Sequence, residues 1–206
     1  GGTNPACVRY GYGFAQGANA AAAEMGKTVE LNYTWQYGNS YSPSSELQAL
    51  VNGWYNNGTE VIFCCGGNMY QSVAQAAAEN DAYMVGVDTD QSPLSETIIT
   101  SAMKGLYPAT YDTLTDVIVN GNWEKYVGKI ETLGLVSGTD PEANYVQIPM
   151  GDGTQWSDSF TQDDYKAMVK DMFDGKITVS NNTSSDVSAA DFATVITVDD
   201  QGSIKG

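Results

Sequence analysis

Three short polar segments carry the residue types best suited to binding chemistry, and each follows an apolar stretch that reads as a strand. The segments are residues 36–41, 66–68 and 88–91, and their candidate binding residues are Tyr41, Gly66, Gly67, Asn68, Asp88 and Asp90. A carboxylate accepts hydrogen bonds from two hydroxyls, and an aromatic face stacks on a base or a sugar. This combination predicts a small, neutral, polyhydroxylated ligand that carries a stackable ring.

Each of these features also has a purely structural interpretation. Asp88 and Asp90 are residue types that cap the turn after a strand, and Tyr41 stands where it can pack just ahead of a helix. The Gly66-Gly67 pair permits a tight strand-to-helix turn, which is compatible with ligand approach. Lys104 is a cation near the end of an apolar strand, where a lone lysine is usually solvated.

Composition excludes several classes of function. The chain of 206 residues contains no histidine, which removes Ser-His-Asp and Cys-His catalysis and histidine-based metal sites. Nine Lys and Arg against 25 Asp and Glu give a net charge of −16, which argues against a nucleic-acid partner. Cys64 and Cys65 are adjacent in an apolar run and lack C-x-x-C spacing, so we expect small buried side chains there.

Apolar strands alternate with helices over the first half of the chain. The predicted elements are helices from Pro5 to Met25, from about 45 to 56 and over 69–79, and strands over 28–35, 60–65, 83–87 and 97–103. This alternation is typical of right-handed βαβ units in a parallel sheet, and it predicts an α/β fold. Because the carboxyl ends of parallel strands meet at one edge, the three polar segments are expected to converge there.

Two further expectations concern the ends of this pattern. The first element is a helix with no strand before it, whereas a doubly wound fold places a strand ahead of such a turn, so we expect a strand upstream of Gly1. Beyond Lys104 the pattern predicts a helix over 107–119, a strand over 129–135, a polar loop over 140–161, a helix over 161–172 and an edge strand within 193–198.

Several motifs in order resemble one protein family. They are RYGYGFAQG (9–17), EVIFCCGG (60–67), GVDTDQS (86–92) and TSAMK (100–104), followed by LGL (133–135) and FTQDDY (160–165). The combination resembles the basic membrane protein family, the PnrA-like nucleoside-binding lipoproteins of bacterial ABC importers. The likeness covers nearly the whole chain but only the second part of a typical member.

The resemblance implies a type I periplasmic-binding-protein-like fold, in which two α/β lobes close on a ligand. By this analogy residues 1–104 form the core of the C-terminal lobe, and residues 105–136 cross over to pack on the N-terminal lobe, which this sequence lacks. Residues 137–206 then supply return elements and a C-terminal tail. The resemblance further implies an extracytoplasmic protein, lipid-anchored at the bacterial cell membrane, whose signal and anchor are not in this chain.

The family also implies roles for the candidate residues. Asp88 matches the carboxylate that takes ribose hydroxyls, and Lys104 matches a hinge-side polar contact. Tyr41 lies where the family places an aromatic residue that stacks on the base, although a Phe is usual there. The turn at 66–68 matches a backbone contact, and Cys64-Cys65 departs from the small residues usual in the family.

The implied function is capture of a nucleoside, with a purine nucleoside as the expected ligand, and its delivery to an ABC permease without any cofactor. The alternatives are a sugar-binding protein and the ligand-sensing domain of a transcription regulator, both of which share this fold. An enzyme acting on sugars or nucleosides is disfavoured, because the sequence shows no nucleophile–base pair, phosphate loop or metal cluster.

Overall fold

A computed structural model describes residues 1–202 as an α/β protein with five α-helices and six strands. In chain order these are α1 (Pro5–Met25), β1 (Glu30–Thr34), α2 (Ser45–Asn56), β2 (Val61–Phe63), α3 (Tyr70–Glu79), β3 (Tyr83–Asp88), β4 (Ile98–Lys104), α4 (Leu106–Leu114), β5 (Val146–Gln147), α5 (Gln162–Phe173) and β6 (Thr197–Gly202). No helix in the described residues is both long enough and apolar enough to span a membrane.

Local capping fixes the first helix as the sequence predicts. The side chain of Asn4 accepts a hydrogen bond from the Cys7 N–H at 3.0 Å, and Pro5 takes the first helical position, where it sacrifices no intrahelical bond. The helix ends at Gly26, which adopts the left-handed conformation with φ of 61°. The predicted boundaries of α1 are therefore confirmed.

The main sheet has four strands in the order β2-β3-β4-β5, and the predicted parallel α/β architecture is confirmed. The first three strands are parallel, and the short β5 pairs antiparallel with β4. On one face of the sheet, α2 and α3 bury an apolar core that includes Val51, Val73, Met84 and Ile98. Each such side chain contributes about 1.5–3 kcal/mol through burial.

The opposite face of the sheet is covered by α1. Side chains of consecutive strand residues point to opposite faces, so Phe63 faces away from the core that buries Ile62. The ring of Phe14 in α1 lies 5.3 Å from the ring of Phe63, measured between centroids. Helices on both faces explain why the strands are short, continuous apolar runs.

The structure corrects the expectation that β1 belongs to the same sheet as β2. β1 pairs in parallel with β6, and the two form a separate two-stranded sheet. β6 spans Thr197–Gly202, so only its first two residues fall within the predicted edge strand of 193–198. Asn19 of α1 holds the segment before β6, because its side-chain oxygen accepts the N–H groups of Thr194 and Val195, each at 2.9 Å.

The second half of the chain is partly as predicted. The helix expected over 107–119 is α4 continued by one π-helical turn (Thr115–Val119), and α5 begins at a capping box formed by Thr161 and Asp164. The strand predicted over 129–135 is wrong, since the segment has no regular secondary structure and Ile130 is fully exposed. An apolar run forms a strand only where another strand offers its edge, and none pairs with this segment within residues 1–202.

Candidate functional site

The loops that follow β1, β2 and β3 meet at the carboxyl edge of the strands. The carbonyl of Tyr41, in the loop after β1, accepts a hydrogen bond from the N–H of Asn68 at 3.1 Å. The carbonyl of Gly67, in the turn after β2, accepts one from the side-chain amide of Gln91 at 3.4 Å. The structure thus brings the three predicted loops together at one rim.

Tyr41 presents a partly exposed ring at this rim. It adopts the left-handed conformation with φ of 52°, and its hydroxyl contacts the side-chain amide of Asn4 and lies 3.9 Å from Cys7 Sγ. The hydrogen bond with Cys7 raises the pKa of the Tyr41 hydroxyl, which keeps the phenol neutral. With 39% of the residue exposed, the ring is tethered at its hydroxyl end and still accessible to a stacking partner.

The turn at 66–68 connects β2 to α3 through one turn of 3₁₀-helix. Gly67 has φ of 50°, a conformation that a residue without Cβ adopts at little cost. Gly66 is buried, and a Cβ there would overlap Met69 Sδ, so a larger residue at this position requires the Met69 side chain to move. Asn68 is exposed, and its side chain makes no hydrogen bond to any residue in the described part of the chain.

Asp88 and Lys104 form an ion pair where β3 and β4 end. Because Asp88 is in register with Met103, the next residue of β4 reaches its carboxylate, and Lys104 Nζ lies 2.5 Å from Asp88 Oδ1. Both side chains are about two-fifths exposed (38% and 44%), so the pair contributes little to stability. Asp88 Oδ2 contacts no donor within residues 1–202 and remains available to accept hydrogen bonds.

Tyr10 of α1 lies beside this ion pair. Its hydroxyl donates to the Met103 carbonyl at 3.4 Å, which places the ring beside the ends of β3 and β4. Burial, and secondarily the negative charge of Asp88, raises the pKa of Tyr10 to about 12. The group is therefore a neutral hydrogen-bond donor at physiological pH.

Asp90 does not join this group of residues. Its Oδ1 accepts the N–H of Ser92 at 3.0 Å, which is the turn-capping role considered from the sequence. The carboxylate faces Gly153, beside an open depression of about 650 Å³ that Glu96, Glu142 and Asp152 also line. These contacts are those of a turn residue, and we leave Asp90 out of the proposed site.

Gln91 is the residue that sequence reasoning missed as a determinant of the site. It is buried, its Oε1 accepts the N–H of Val87 at 3.0 Å, and its own N–H donates to Ser101 Oγ at 3.0 Å. Together with the bond to Gly67, these contacts link the end of β3 to β4 and to the turn after β2. With two partners for its side-chain amide and one for its backbone N–H, Gln91 fixes the loop after β3 against the turn after β2.

The titratable groups behind the rim are not activated for nucleophilic chemistry. Burial raises the pKa of both Cys64 and Cys65 to about 12, so both thiols stay protonated at neutral pH. Within residues 1–202 no group of three potential metal ligands comes together. The rim supplies a ring, a carboxylate, an ammonium and backbone groups, which can hold a ligand through stacking and hydrogen bonds.

A mainly parallel sheet with helices on both faces and polar loops gathered at its carboxyl edge defines an α/β protein, a class in which ligands bind at that edge. The family of PnrA-like ABC transporter substrate-binding proteins (Bmp) matches residues 1–140. The chain belongs to this family.

The chain is similar to a curated relative and to a solved structure. Basic membrane protein B of Borrelia garinii subsp. bavariensis is 34% identical over 134 residues, which are 63% of this chain and 36% of the relative. The chain thus spans about a third of the length of that relative. The crystal structure of ABC transporter solute-binding proteins from Aeropyrum pernix K1 matches 84% of this chain and 57% of its own with a TM-score of 0.40 and 19% identity.

Proposed function

We propose that the chain supplies one side of the ligand site of a solute-binding protein that captures a nucleoside, with a purine nucleoside as the preferred ligand. Membership of the ABC transporter substrate-binding family supports the general role. The observation that carries the ligand class is the joint placement of the Tyr41 ring, the Gly67 turn and the Asp88 carboxylate at one rim.

Each group has a distinct part in this proposal. The ring of Tyr41 stacks on the base, which contributes roughly 1–3 kcal/mol by analogy with base stacking on aromatic side chains. Asp88 Oδ2 accepts ribose hydroxyls, and a hydrogen bond to a charged group contributes roughly 1.5–3 kcal/mol. Lys104 holds Asp88 in place and presents its remaining donors to the ligand, while the turn at Gly67 lets the ligand approach the backbone closely.

The site is completed by a second lobe in this proposal. The segment after β4 exposes six large apolar side chains within residues 106–123, namely Leu106, Tyr107, Tyr111, Ile118, Val119 and Trp123. Exposed apolar surface of this extent is typical of an interface. We infer that an N-terminal lobe covers it in a chain of the relative's length, that residues 105–136 form the crossover, and that closure of the lobes couples binding to docking on an ABC permease.

The proposed setting is extracytoplasmic, with a lipid anchor at the bacterial cell membrane. Family membership supports the extracytoplasmic setting. The low content of charged residues, 17%, with polarity carried by Asn, Ser, Thr and Gln, is consistent with an exported surface. The anchor is tested by identifying the N-terminal residue and any acyl group on the protein isolated from its native membrane.

Calorimetry of the two-lobe protein with adenosine, inosine and ribose tests the ligand class. Asp88→Asn should weaken nucleoside binding about 10- to 100-fold, because a charged acceptor of ribose hydroxyls is lost. Asp90→Asn is the matched control, since it makes the same change two residues away at a turn cap, and it should leave affinity within about twofold.

A second pair of variants separates stacking from the tether of the ring. Tyr41→Ala should weaken nucleoside binding at least tenfold, whereas Tyr41→Phe keeps the ring and should retain most of the affinity. Binding of ribose but of no nucleoside would replace the proposal by sugar binding. Equal effects of Asp88→Asn and Asp90→Asn would remove the proposed role of Asp88.

A further inference from the structure

Two of the three cysteine thiols lie in contact, although they are 58 positions apart in the chain. Cys7 stands in the first turn of α1 and is partly exposed, whereas Cys65 follows β2 and is buried. The Cys65 thiol donates a hydrogen bond to the Cys7 carbonyl at 3.7 Å, and it also hydrogen-bonds with the Cys7 thiol. The pair therefore joins the start of a helix to the end of a strand.

The backbone segments that carry the two thiols are close together. Gly1 adjoins both of them, because a Cβ built on Gly1 would overlap the Cys65 carbonyl oxygen and would lie 3.1 Å from the Cys7 Cβ. A disulfide requires a sulfur–sulfur distance of about 2 Å and Cα atoms about 4.4–6.8 Å apart. Thiols that already hydrogen-bond reach this sulfur–sulfur distance through a change of side-chain rotamer.

The neighbouring thiol of Cys64 points away from this pair. Consecutive side chains of an extended chain point to opposite faces of the sheet. Cys64 belongs to the apolar core on the α2 and α3 side, together with Val73 and Met84, whereas Cys65 contacts α1 on the other side. Cys65 is thus the member of the adjacent pair that can bond to Cys7, and Cys64 serves as a matched control.

The surroundings of the two thiols determine which of them meets a reagent first. Cys7 Sγ lies 3.9 Å from the Tyr41 hydroxyl, and Tyr41 is 39% exposed, so Cys7 is reached from the rim of the sheet. Cys65 is 7% exposed, and burial raises the pKa of its thiol to about 12. Because the thiolate is the nucleophile, Cys7 reacts with an external reagent and Cys65 reacts afterwards, inside the protein.

We propose that Cys7 and Cys65 form a reversible disulfide by exchange with a small-molecule disulfide. The Cys7 thiolate attacks one sulfur of the reagent, forms a mixed disulfide and expels one thiolate. Cys65 then loses its proton to water and attacks Cys7 Sγ, which expels the second thiolate. Two protein thiols are oxidised, and the reagent is reduced to two small thiols that take up the two protons.

The disulfide ties the first turn of α1 to the carboxyl end of β2. Disulfides persist in oxidising compartments outside the cytoplasm, and family membership supports such a setting. A bond between residues 58 positions apart restricts the unfolded chain, so we expect the Tm to rise by roughly 5–15 °C. The proposal does not depend on the identity of any ligand or on the proposed function.

Thiol mapping of the full chain tests the proposal, with glutathione disulfide as the reagent. After oxidation, the protein is unfolded, alkylated with iodoacetamide, digested and analysed by mass spectrometry. We expect a monomer about 2 Da lighter than the reduced chain, with Cys7 linked to Cys65 and only Cys64 alkylated. Dithiothreitol should restore the original mass and Tm. Cys64→Ala should form the same bond, whereas Cys7→Ser and Cys65→Ala should lose both the bond and the rise in Tm.

Cys7→Ser carries the test even where Cys65→Ala fails to fold, because Cys7 is only partly buried. Glutathione that remains attached to Cys7, a linked peptide that contains Cys64, or a disulfide found only in dimers overturns the proposal. A Cys7–Cys65 bond that forms without raising the Tm also overturns it, because such a bond requires the native packing of α1 on the sheet to be distorted.

Discussion

Replacing Gln91 with Leu removes the side-chain hydrogen bonds that connect the end of β3 to the turn after β2 while nearly conserving volume. The N–H of Val87, which Gln91 Oε1 accepts at 3.0 Å, loses its partner, and Val87 is only 3% exposed. A buried donor left unsatisfied costs about 1–3 kcal/mol. The Gly67 carbonyl is nearer the surface and its bond is long at 3.4 Å, so it adds little. We expect Gln91→Leu to lower the free energy of unfolding by about 2 kcal/mol, and the Tm by about 4–8 °C.

Urea denaturation followed by circular dichroism measures this loss, with the m-value expected to stay constant. Gln75→Leu is the matched control, since Gln75 is exposed on α3 and its side chain bonds only to Glu79 among residues 1–202. In Gln91→Glu an ionised carboxylate is buried, which raises its pKa in the folded state. The free energy of unfolding of this variant is therefore retained below the unfolded pKa of about 4.3 and is lost as pH rises above it. Unfolding of Gln91→Leu within 0.5 kcal/mol of the parent, roughly the effect of an ordinary surface change, would refute the reasoning.

Three further predictions concern capping, tyrosine titration and thiol reactivity. Ser44→Ala should destabilise the chain by about 1 kcal/mol in thermal unfolding because Ser44 caps α2, whereas Ser45→Ala, one residue later, should be nearly neutral. Because the pKa of Tyr10 is raised to about 12, the stability that this hydroxyl contributes is present below pH 10 and is lost between pH 10 and 12. Tyr10→Phe should reduce this loss of stability when unfolding is measured as a function of pH. An unchanged pH profile would count against the role of Tyr10. Iodoacetamide should label Cys7 in the folded protein before Cys64 and Cys65, and mass spectrometry showing equal labelling of all three would contradict their burial.

The elements that sequence predicts well are those whose ends are fixed by local chemistry. Asn4 with Pro5 begins α1 and Gly26 ends it, and Ser44 begins α2 through a hydrogen bond to the Leu47 N–H at 3.1 Å. Each signal acts within one helical turn, so it is readable without knowledge of the rest of the chain.

Strand pairing was less predictable, because it depends on residues far apart in the chain. β1 pairs with β6, and the pair of Glu30 with Thr197 joins opposite ends of the sequence. The segment 129–135 carries the apolar residues of a strand, yet no neighbouring edge receives it within the described residues. An apolar pattern indicates that a segment can form a strand, whereas only the tertiary structure provides the neighbouring strand with which it pairs.

In the candidate site, too, sequence rules predict some features, and only the tertiary structure reveals the others. The general rule for parallel sheets was sufficient to bring Tyr41, Gly67 and Asp88 to one rim. It does not separate Asp88 from Asp90, because the chain leaves the strand between them: Asp88 has φ of 70° and the N–H of Thr89 bonds to the Val87 carbonyl at 2.9 Å. Gln91 has no distinguishing sequence motif, and only its burial between two strands reveals its part.

Residues before α1 contact the candidate ligand site. Gly2 packs against Asn39 and the Tyr41 hydroxyl, and Asn4 contacts the same hydroxyl while capping α1. These contacts hold the Tyr41 ring at its hydroxyl end, beside the turn at Gly67. Because a ring held in its binding position loses less freedom when a base stacks on it, these contacts should strengthen ligand binding without touching the ligand.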